Sequence, residues 1–218
     1  MISLDNRLKT AAELCRIGKI AADVGCDHAQ LACYLAENVS AAVIASDVRD
    51  GPLDAARKTV SEQGAGNVRI VKSDGLEKID FADDVIICGM GGELIAEIIG
   101  GCKFTNPDTR FILQPMTKAE KLRTWLYKNG FEIIEERVSY DAGRAYSVML
   151  AAFTGNSQEI SEVFALTGKI ADAMFLERIA AKLLKQADGM DKADSPSGEA
   201  EHLRSIAAEI IKNSQKLK

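Results

Sequence analysis

The sequence predicts an α/β protein built around a mainly parallel β-sheet and followed by a C-terminal helical hairpin. Short apolar runs rich in β-branched residues alternate with helix-like segments through the first 130 residues, a pattern typical of repeated βα units. After that point two strand-like runs follow each other without a helix between them. Beyond residue 155 only helical patterns remain.

Five apolar runs are predicted as the parallel strands of the sheet, because each is short and is bounded by polar residues or glycine. In chain order these strands cover 20–24, 41–46, 68–71, 84–89 and 110–114. The helical segments between and after them cover 29–38, 52–63, 92–100 and 117–129. Pro52 at a first-turn position and Gly130 after the last of these helices support the boundaries.

Two further runs, 131–141 and 145–153, predict an antiparallel pair of strands that closes the sheet. A dinucleotide dehydrogenase would continue with another helix and another parallel strand at this point. The order of elements therefore favours a different nucleotide-binding class. We expect the α/β domain to span residues 1–155.

The C-terminal part, 156–218, is expected to form a separate, coiled-coil-like helical hairpin. Helical patterns cover roughly 158–187 and 199–217, and the polar segment 189–198 between them is predicted to be flexible. Gly168 is expected to break or bend the first helical stretch. Two helices alone are too small to bury a core.

Composition restricts the class of protein and of partner. The chain has 218 residues, 47% of them hydrophobic, which is ordinary for a globular domain with a buried core. Its net charge of -5 gives no support for RNA binding, since nucleic-acid binders usually have a basic excess. One local basic cluster is expected to be a solvated helix face; it contains Lys118, Lys121, Arg123 and Lys128.

Cysteine spacing and hydropathy set the remaining expectations. The five cysteines include no CxxC pair, so we expect reduced core thiols and no metal. No charged-then-apolar signal segment is evident, and no apolar run approaches the ~18 residues that span a bilayer. We therefore expect a cytoplasmic protein without a membrane partner. The oligomeric state is left open, and a monomer is compatible with the sequence.

Ligands of doubly wound sheets bind beyond the carboxyl ends of the strands, so the segments after each apolar run are the candidate sites. The first is Asp23-Val24-Gly25-Cys26-Asp27-His28, where Gly25 permits a close backbone approach to a helix N-terminus. Asp47 follows the second run, 22 residues past Gly25, and can accept hydrogen bonds from ribose hydroxyls. Nicotinamide and adenosylmethionine sites share that spacing.

Two more segments extend the candidate site. Ser73-Asp74-Gly75 follows the third run, and Asp74 can accept a hydrogen bond from the exocyclic amine of adenine. Gly89-Met90-Gly91-Gly92 follows the fourth run and is expected to be a loop whose backbone admits a flat substrate. A dehydrogenase would need GxGxxG after the first strand, and GCDHAQ lacks its second and third glycines.

At these residues the sequence resembles the bacterial tRNA (adenine-22-N1)-methyltransferases, a branch of the class I S-adenosylmethionine-dependent methyltransferases. The matching stretches span nearly all of 1–153: ADVGCDHAQL, DGP at 50–52, SDGLE, IICGMGGELI, FILQPM, RTWLYKNGF and the turn at 143–146. The resemblance implies a Rossmann-like, seven-stranded methyltransferase sheet, S-adenosyl-L-methionine as cofactor and tRNA as substrate. Cys26 stands where the family more often has a small hydroxyl residue.

The resemblance also implies the parts that individual residues play. Asp23, Gly25, Asp27 and His28 would shape the methionine side of the cofactor site, Asp47 would hold the ribose, and Asp74 and Gly75 would border the adenine. The full set of implied cofactor-binding residues is Asp23, Gly25, Cys26, Asp27, His28, Asp47, Val48, Asp74, Gly75 and Gly89. The implied substrate-binding residues are Arg7, Met90, Gly91, Gln114 and Pro115, and Arg7 is a candidate partner for a carboxylate or a phosphate.

Methyl transfer to adenine N1 is an in-line displacement, so the enzyme chiefly aligns nucleophile, methyl group and sulfur. One nearby carboxylate would suffice to stabilise the developing charge or to accept a proton from N6. The candidate catalytic residues are Asp27 and His28, although His28 could equally be a helix cap or a cofactor orienter. Two alternatives stay open: a class I methyltransferase acting on a small molecule or protein, and a non-catalytic RNA-binding protein that retains the fold.

Overall fold

A computed structural model describes residues 2–105, 107–192 and 197–218. The chain forms two compact units, Met1–Gln158 and Glu159–Lys218. The first unit contains the whole sheet, and the second is helical. None of the helices formed by the described residues is long and apolar enough to cross a membrane.

The first unit is built on one seven-stranded sheet, as the sequence predicts. Its strands are β1 (Ile20–Val24), β2 (Ala42–Asp47), β3 (Val68–Lys72), β4 (Asp84–Gly91), β5 (Arg110–Thr117), β6 (Phe131–Asp141) and β7 (Arg144–Phe153). Their order in the sheet is β3-β2-β1-β4-β5-β7-β6. Strands β1 to β5 are parallel, and β7 runs antiparallel to both β5 and β6. This arrangement confirms the predicted Rossmann-like fold.

Most helices of the first unit connect strands near the positions that the hydrophobic pattern predicts, whereas the first precedes β1 and was not predicted from that pattern. In the first unit they are α1 (Asn6–Glu13), α2 (Gln30–Asn38), α3 (Asp50–Gln63), α4 (Gly92–Gly100) and α5 (Ala119–Lys128). Helix α1 begins where the Asp5 side chain accepts a hydrogen bond from the Leu8 N–H, at 2.8 Å. Helix α3 ends at Gly64, whose φ of 63° suits a C-terminal cap that has no Cβ.

The antiparallel edge of the sheet depends on a two-residue turn. Strand β6 ends at Asp141 and β7 begins at Arg144, so only Ala142 and Gly143 connect them. Both have positive φ, 45° and 78°, as the tight type I′ turn requires. The hairpin prediction is confirmed.

The core continues across the sheet, and one buried ion pair interrupts it. Phe131 packs edge-on against Phe111, with ring centroids 5.4 Å apart. Nearby, Arg123 of α5 and Glu136 of β6 pair at 2.6 Å with side chains 1% and 0% exposed. The expectation that Arg123 lies on a solvated face is therefore wrong, because its partner comes from a strand that follows later in the chain. Lys118, in contrast, is exposed and pairs with Glu93.

The segment 89–92 is not the loop that the sequence predicts. Strand β4 continues through Gly91 because Met90 and Gly91 still pair with Pro115 and Thr117 of β5, across irregular register shifts. Helix α4 then begins directly at Gly92. A Cβ at Gly92 would overlap the backbone carbonyl of Lys118, so this junction requires glycine.

The second unit consists of α6 (Glu162–Thr167), α7 (Ala173–Lys192) and α8 (Ser197–Gln215). Gly168, with φ of 61°, ends α6 and confirms the predicted break. The prediction of a flexible 189–198 segment is wrong for 189–192, which α7 includes, and for 197–198, with which α8 begins; 193–196 lies outside the described residues. The extra turn of α7 is stabilised by Arg204 of α8, which pairs with Asp188 and Asp191 at 3.0 and 2.5 Å.

The topology positions the candidate site. From β1 the chain moves outward to β2 and β3, and then returns to the other side of β1 to form β4. Connections therefore leave the carboxyl ends of β1 and β4 in opposite directions, which opens a crevice between them.

Candidate functional site

Two adjoining cavities lie at the carboxyl ends of the strands around this crevice. The first, of about 450 Å³, is lined mainly by the segment after β1 and by the ends of α1 and β4. The second, of about 310 Å³, is lined by the ends of β2 and β3 and by α4. Both are lined by Gly25, Asp47, Arg49 and Met90, so these four residues mark the junction of the two cavities. We call them the methionine-end cavity and the adenine-end cavity.

The segment between β1 and α2 has an unusual backbone. Gly25, Asp27 and Ala29 have positive φ values of 75°, 49° and 53°. The N–H groups of Gly25 and Cys26 both donate to the carbonyl of Ser46 at 2.8 Å, which fixes the segment against β2. Two left-handed residues other than glycine are energetically costly, and such strain is concentrated at functional sites.

Met90 covers the backbone of Gly25. A Cβ at Gly25 would overlap the methyl group of Met90, whose side chain lines both cavities. A ligand that extends from one cavity into the other across Gly25 therefore requires the Met90 side chain to move. The unbranched thioether side chain of methionine makes such a rearrangement cheap.

Asp23, near the end of β1, is a buried carboxyl group with an unsatisfied oxygen. Burial raises its pKa to about 7, while a hydrogen bond from the Ala32 backbone N–H lowers the pKa and the nearby Asp47 raises it. Its Oδ2 has no hydrogen-bond partner among the residues that the structure describes. A buried acceptor without a partner costs free energy, so this oxygen is suited to a donor from a ligand, above all a cationic one.

Asp47 lies at the junction of the cavities. It is 6% exposed, and its Oδ1 accepts a hydrogen bond of 2.9 Å from the backbone N–H of Arg49. The Arg49 side chain is mostly exposed, with Nε 3.5 Å from the same oxygen. The bond from the backbone fixes the carboxylate and leaves acceptor capacity on Oδ2.

The adenine-end cavity combines polar and apolar walls. Val48, Asp74 and Gly75 line it, as the sequence predicts, and so do Leu94 and Ile98 of α4. The sequence patterns did not predict Leu94 and Ile98, or Arg49 at the junction. Leu94 and Val48, which both line this cavity, are 47% and 52% exposed, and together they form an apolar surface suited to a flat ring. Leu94 and Ile98 lie on α4, and only the apolar residues of this helix, combined with its place after β4, could have indicated these two.

The Asp27–His28 pair lies at the mouth of the methionine-end cavity. The two side chains are 66% and 61% exposed, and His28 Nε2 lies 3.7 Å from Asp27 Oδ2. The left-handed backbone of Asp27 fixes this corner relative to Gly25. A carboxylate at this position can interact with a substrate that enters from solvent.

Arg7 of α1 reaches the same cavity. Its Nη2 pairs with Asp5 Oδ2 at 2.9 Å, and its Nη1 donates to Gln114 Oε1 at 2.7 Å. Gln114 is fully buried, and the same oxygen accepts a 3.2 Å hydrogen bond from the Gly89 N–H. These bonds connect the N-terminal helix to the ends of β4 and β5.

The structure brings most of the predicted site residues to the two cavities. Those lining the methionine-end cavity are Arg7, Asp23, Gly25, Cys26, Asp27, His28, Asp47, Gly89 and Met90. Val48, Asp74 and Gly75 line the adenine-end cavity. Gly91, Gln114 and Pro115 line neither cavity.

Comparisons with known proteins identify a family and several relatives of this chain. The model of a methyltransferase domain family matches residues 4–149. The tRNA (adenine(22)-N(1))-methyltransferase of Bacillus subtilis (strain 168) is 34% identical over 229 aligned residues, covering 100% of this chain and 92% of that protein.

Solved structures show the same fold. The crystal structure of the m1A22 tRNA methyltransferase TrmK of B. subtilis superposes with a TM-score of 0.83 at 29% identity, covering 100% of this chain and 99% of that one. A Streptococcus pneumoniae protein with proposed tRNA (m1A22) methyltransferase activity, crystallised with S-adenosyl-L-methionine, gives a TM-score of 0.75 at 28% identity. That match covers 100% of this chain and 99% of the other.

Proposed function

This chain belongs to the methyltransferase domain family, and on that premise we propose that it transfers a methyl group from S-adenosylmethionine to N1 of adenine 22 in tRNA. The observation that supports the proposal most directly is the 34% identity to the Bacillus subtilis enzyme along the whole chain. A tRNA substrate also implies a cytoplasmic location.

Two features of the cavities fit the cofactor. Asp23 Oδ2 is buried without a hydrogen-bond partner in the described part of the chain, and the ammonium group of the cofactor is a donor. Gly25 has no side chain at the junction of the cavities, and only the flexible side chain of Met90 covers its backbone there. The residues present therefore fit a ligand with an amino-acid group at one end and a nucleoside at the other.

Each part of the cofactor has proposed partners in the chain. Asp47 would accept hydrogen bonds from the ribose hydroxyls, because it lies at the junction of the cavities. Asp74 would accept from the adenine amine, and Leu94 and Ile98 would pack against the ring. The proposed cofactor residues carried over from the sequence are Asp23, Gly25, Cys26, Asp27, His28, Asp47, Val48, Asp74, Gly75 and Gly89.

Catalysis is proposed to depend on alignment and on one carboxylate. When bound, S-adenosylmethionine supplies a methyl group activated by its positively charged sulfur. Asp27 would stabilise the positive charge that develops on the target adenine, or accept the proton lost from N6. His28, 3.7 Å away, would orient the Asp27 carboxylate.

The target base would enter beside β4. Met90 lies between two glycines where both cavities open, and we propose that it contacts the adenine once the base has left the RNA stack. Gly91 and Pro115 line neither cavity, so their proposed contribution is indirect, through the pairing of β4 with β5 that holds Met90. Gln114 is fully buried, so its proposed contribution is indirect, through the positions of Arg7 and Gly89.

Transfer of labelled methyl groups to an unmodified tRNA transcript tests the activity. We expect incorporation into the natural transcript and none when adenine 22 is replaced by guanine. Equal methylation of both transcripts would refute the proposed target. Failure to bind S-adenosylmethionine would leave only a non-catalytic role for the fold.

The catalytic assignment is tested by Asp27→Asn, with the exposed Asp54→Asn on α3 as control. We expect the first variant to slow methyl transfer by roughly a hundredfold or more while it still binds tRNA, and the second to behave like the native protein. Full activity of Asp27→Asn would refute the assignment.

We also propose a division of the chain into a methyltransferase domain, 1–155, and a helical domain, 156–218. The two compact units of the structure support a boundary in this region. Limited proteolysis that yields a stable fragment ending near residue 155 is the expected result, and cleavage within the sheet would contradict it.

A further inference from the structure

Met90 is the side chain that closes the junction between the two cavities. Among the described residues, and apart from the chain neighbours of Gly25, only Met90 has atoms within 4 Å of the position that a Gly25 Cβ would take. Its Sδ is 3.8 Å from that position, and its methyl group is closer still. Of the other two residues at the junction, Asp47 is fixed by the Arg49 backbone N–H, and the Arg49 side chain is 70% exposed.

The backbone around Met90 restrains this side chain weakly. The register of β4 against β5 shifts on both sides of Met90, and irregularities of this kind redirect side chains beside active sites. Its neighbours, Gly89 and Gly91, have no side chains to pack against it. Methionine is unbranched and has three rotatable bonds, so it changes between staggered rotamers at low cost.

The proposed cofactor needs the space that Met90 occupies. The amino-acid group and the nucleoside of S-adenosylmethionine are joined through its sulfur. If these two ends occupy different cavities, the sulfur lies at the junction, next to Gly25, where the structure has the Met90 methyl group. The cofactor therefore binds only to a protein in which Met90 has turned away, and this difference in affinity shifts the side chain.

The displaced side chain moves toward solvent, because the interior has no room for it. Val24 and Ile87 pair across β1 and β4 just below the junction and are 2% and 0% exposed. On the other side is the mouth of the methionine-end cavity, which Asp27 and His28 line with side chains 66% and 61% exposed. In the proposed function the target adenine enters from solvent through this mouth.

We propose that Met90 makes tRNA binding depend on prior binding of the cofactor. Without cofactor, its side chain covers Gly25; the bound cofactor displaces it to the mouth, where its sulfur packs against the ring of the target adenine. The inference rests on the proposed function, because it takes S-adenosylmethionine and a tRNA adenine as the two ligands. Such coupling is reciprocal, so each ligand strengthens binding of the other by the same factor.

Methyl NMR of the native protein tests the displacement directly. With the six methionines labelled at the ε-methyl carbon, the Met90 signal is the one that is missing from Met90→Ala. In the ligand-free protein we expect a nuclear Overhauser contact between this methyl group and the α-protons of Gly25. Saturation with S-adenosylhomocysteine, the cofactor without its methyl group, should abolish that contact. A contact that persists at saturation would refute the displacement.

Affinity measurements test the coupling. S-adenosylhomocysteine has no methyl group to transfer, so the tRNA is bound and not modified. We expect it to tighten binding of an unmodified tRNA transcript to the native protein at least about fivefold, the lower end of typical coupling between two sites. Met90→Ala should bind the transcript equally with and without S-adenosylhomocysteine, within about twofold, as independent sites do.

The affinity for S-adenosylhomocysteine itself distinguishes a displaced side chain from a fixed wall. Met90→Ala should bind this ligand as tightly as the native protein or more tightly, because no side chain has to leave the junction first. A residue that merely lines the site predicts weaker binding after truncation. The matched control is Met116→Ala: Met116 lies near the end of β5, is 39% exposed and lines neither cavity. It should keep native affinity and native coupling.

The inference is overturned if S-adenosylhomocysteine leaves the tRNA affinity of the native protein unchanged, or if Met90→Ala keeps the native coupling or binds S-adenosylhomocysteine more weakly. Equal loss of coupling in Met116→Ala would also overturn it. In each of these cases, methylation of adenine 22 by the native protein would leave the proposed function standing. If the native protein does not bind S-adenosylhomocysteine at all, the proposed function itself fails.

Discussion

Replacing Gly25 with alanine should separate the cost of a strained backbone from the cost of a filled cofactor site. Gly25 has φ of 75°, a conformation that costs an alanine roughly 1–2 kcal/mol of stability. The added Cβ would also overlap the Met90 methyl group, but that flexible side chain can rotate away. We therefore expect the free energy of unfolding to fall by about 1–2 kcal/mol.

Cofactor binding should be impaired further, because the new methyl group stays between the cavities after Met90 has moved. Overfilling a packed site costs about 1–3 kcal/mol, which is roughly a 5- to 150-fold rise in Kd for S-adenosylhomocysteine. Gly64→Ala is the matched control: its φ is 63°, and an added Cβ would meet no atom of the described structure within 4 Å. This control should lose similar stability and bind the ligand normally.

Urea titrations followed by fluorescence of Trp125, the single tryptophan, measure the stability of both variants, and calorimetry measures Kd. Trp125 packs against Phe131 with ring centroids 5.9 Å apart, so its emission should report loss of the core. A Gly25→Ala protein that binds S-adenosylhomocysteine with native affinity would refute the role of bare backbone at this position. Equal loss of affinity in Gly64→Ala would also refute the prediction, because the weaker binding would then follow from lost stability and not from a filled cofactor site.

Three further changes have defined outcomes. Because the Asp23 pKa is raised, the folded chain retains a proton that the unfolded chain releases, so the free energy of unfolding should fall as pH rises from about 4 to about 7. Urea titrations of Asp23→Asn should lack this pH dependence. An equal pH dependence in both proteins would contradict the assignment. Glu136→Gln leaves Arg123 buried beside a neutral group and should lower the free energy of unfolding by ~3–5 kcal/mol in urea titrations. The control Arg137→Gln, in a more exposed pair, should lower it by under about 1 kcal/mol. Similar losses in both variants would refute the importance of burial. Asp47→Ala should weaken S-adenosylhomocysteine binding in calorimetry by ~1–3 kcal/mol, and an unchanged Kd would refute the ribose assignment.

Hydrophobic patterning predicted the order and class of most elements in the first unit because the central strands of the sheet are buried on both faces. A central strand such as β1 must then be a mainly apolar run, and Ile20–Val24 was predicted with the bounds that the structure shows. The turn between β6 and β7 was equally visible, since strand-like runs on both sides left only a few residues for it. Local constraints of this kind are present in the sequence itself.

Pairings between distant segments were not predictable in the same way. Arg123 has the spacing of a surface residue on an amphipathic helix, and only the position of Glu136 on β6 makes it a core residue. Met90 and Gly91 have glycine neighbours typical of a loop, yet pairing with β5 extends the strand through them. In both cases a tertiary contact overrode the local pattern.

In the candidate site, too, residues placed by local patterns were predictable and residues placed by tertiary contacts were not. The acidic residues at or just after the ends of β1, β2 and β3 were predictable because their positions in a βα unit fix the edge of the sheet that they reach. The burial of Gln114 was not, because it depends on α1 lying across the end of β5, where Arg7 and Gly89 satisfy its side-chain oxygen. The place of Met90 over Gly25 likewise depends on side-chain packing across two strands.

The position of β7 between β5 and β6 imposes an order on the folding of the nascent chain. Strand β6 is synthesised first, but within the described sheet it pairs only with β7, so its 11 residues are not all paired until the chain has been made through Phe153. Unpaired strands of this length are prone to pair with other molecules and aggregate. The two-residue turn limits this exposure, since hairpins close within microseconds of both strands being available. Rapid closure of one short turn thus protects the last part of the sheet from misassembly.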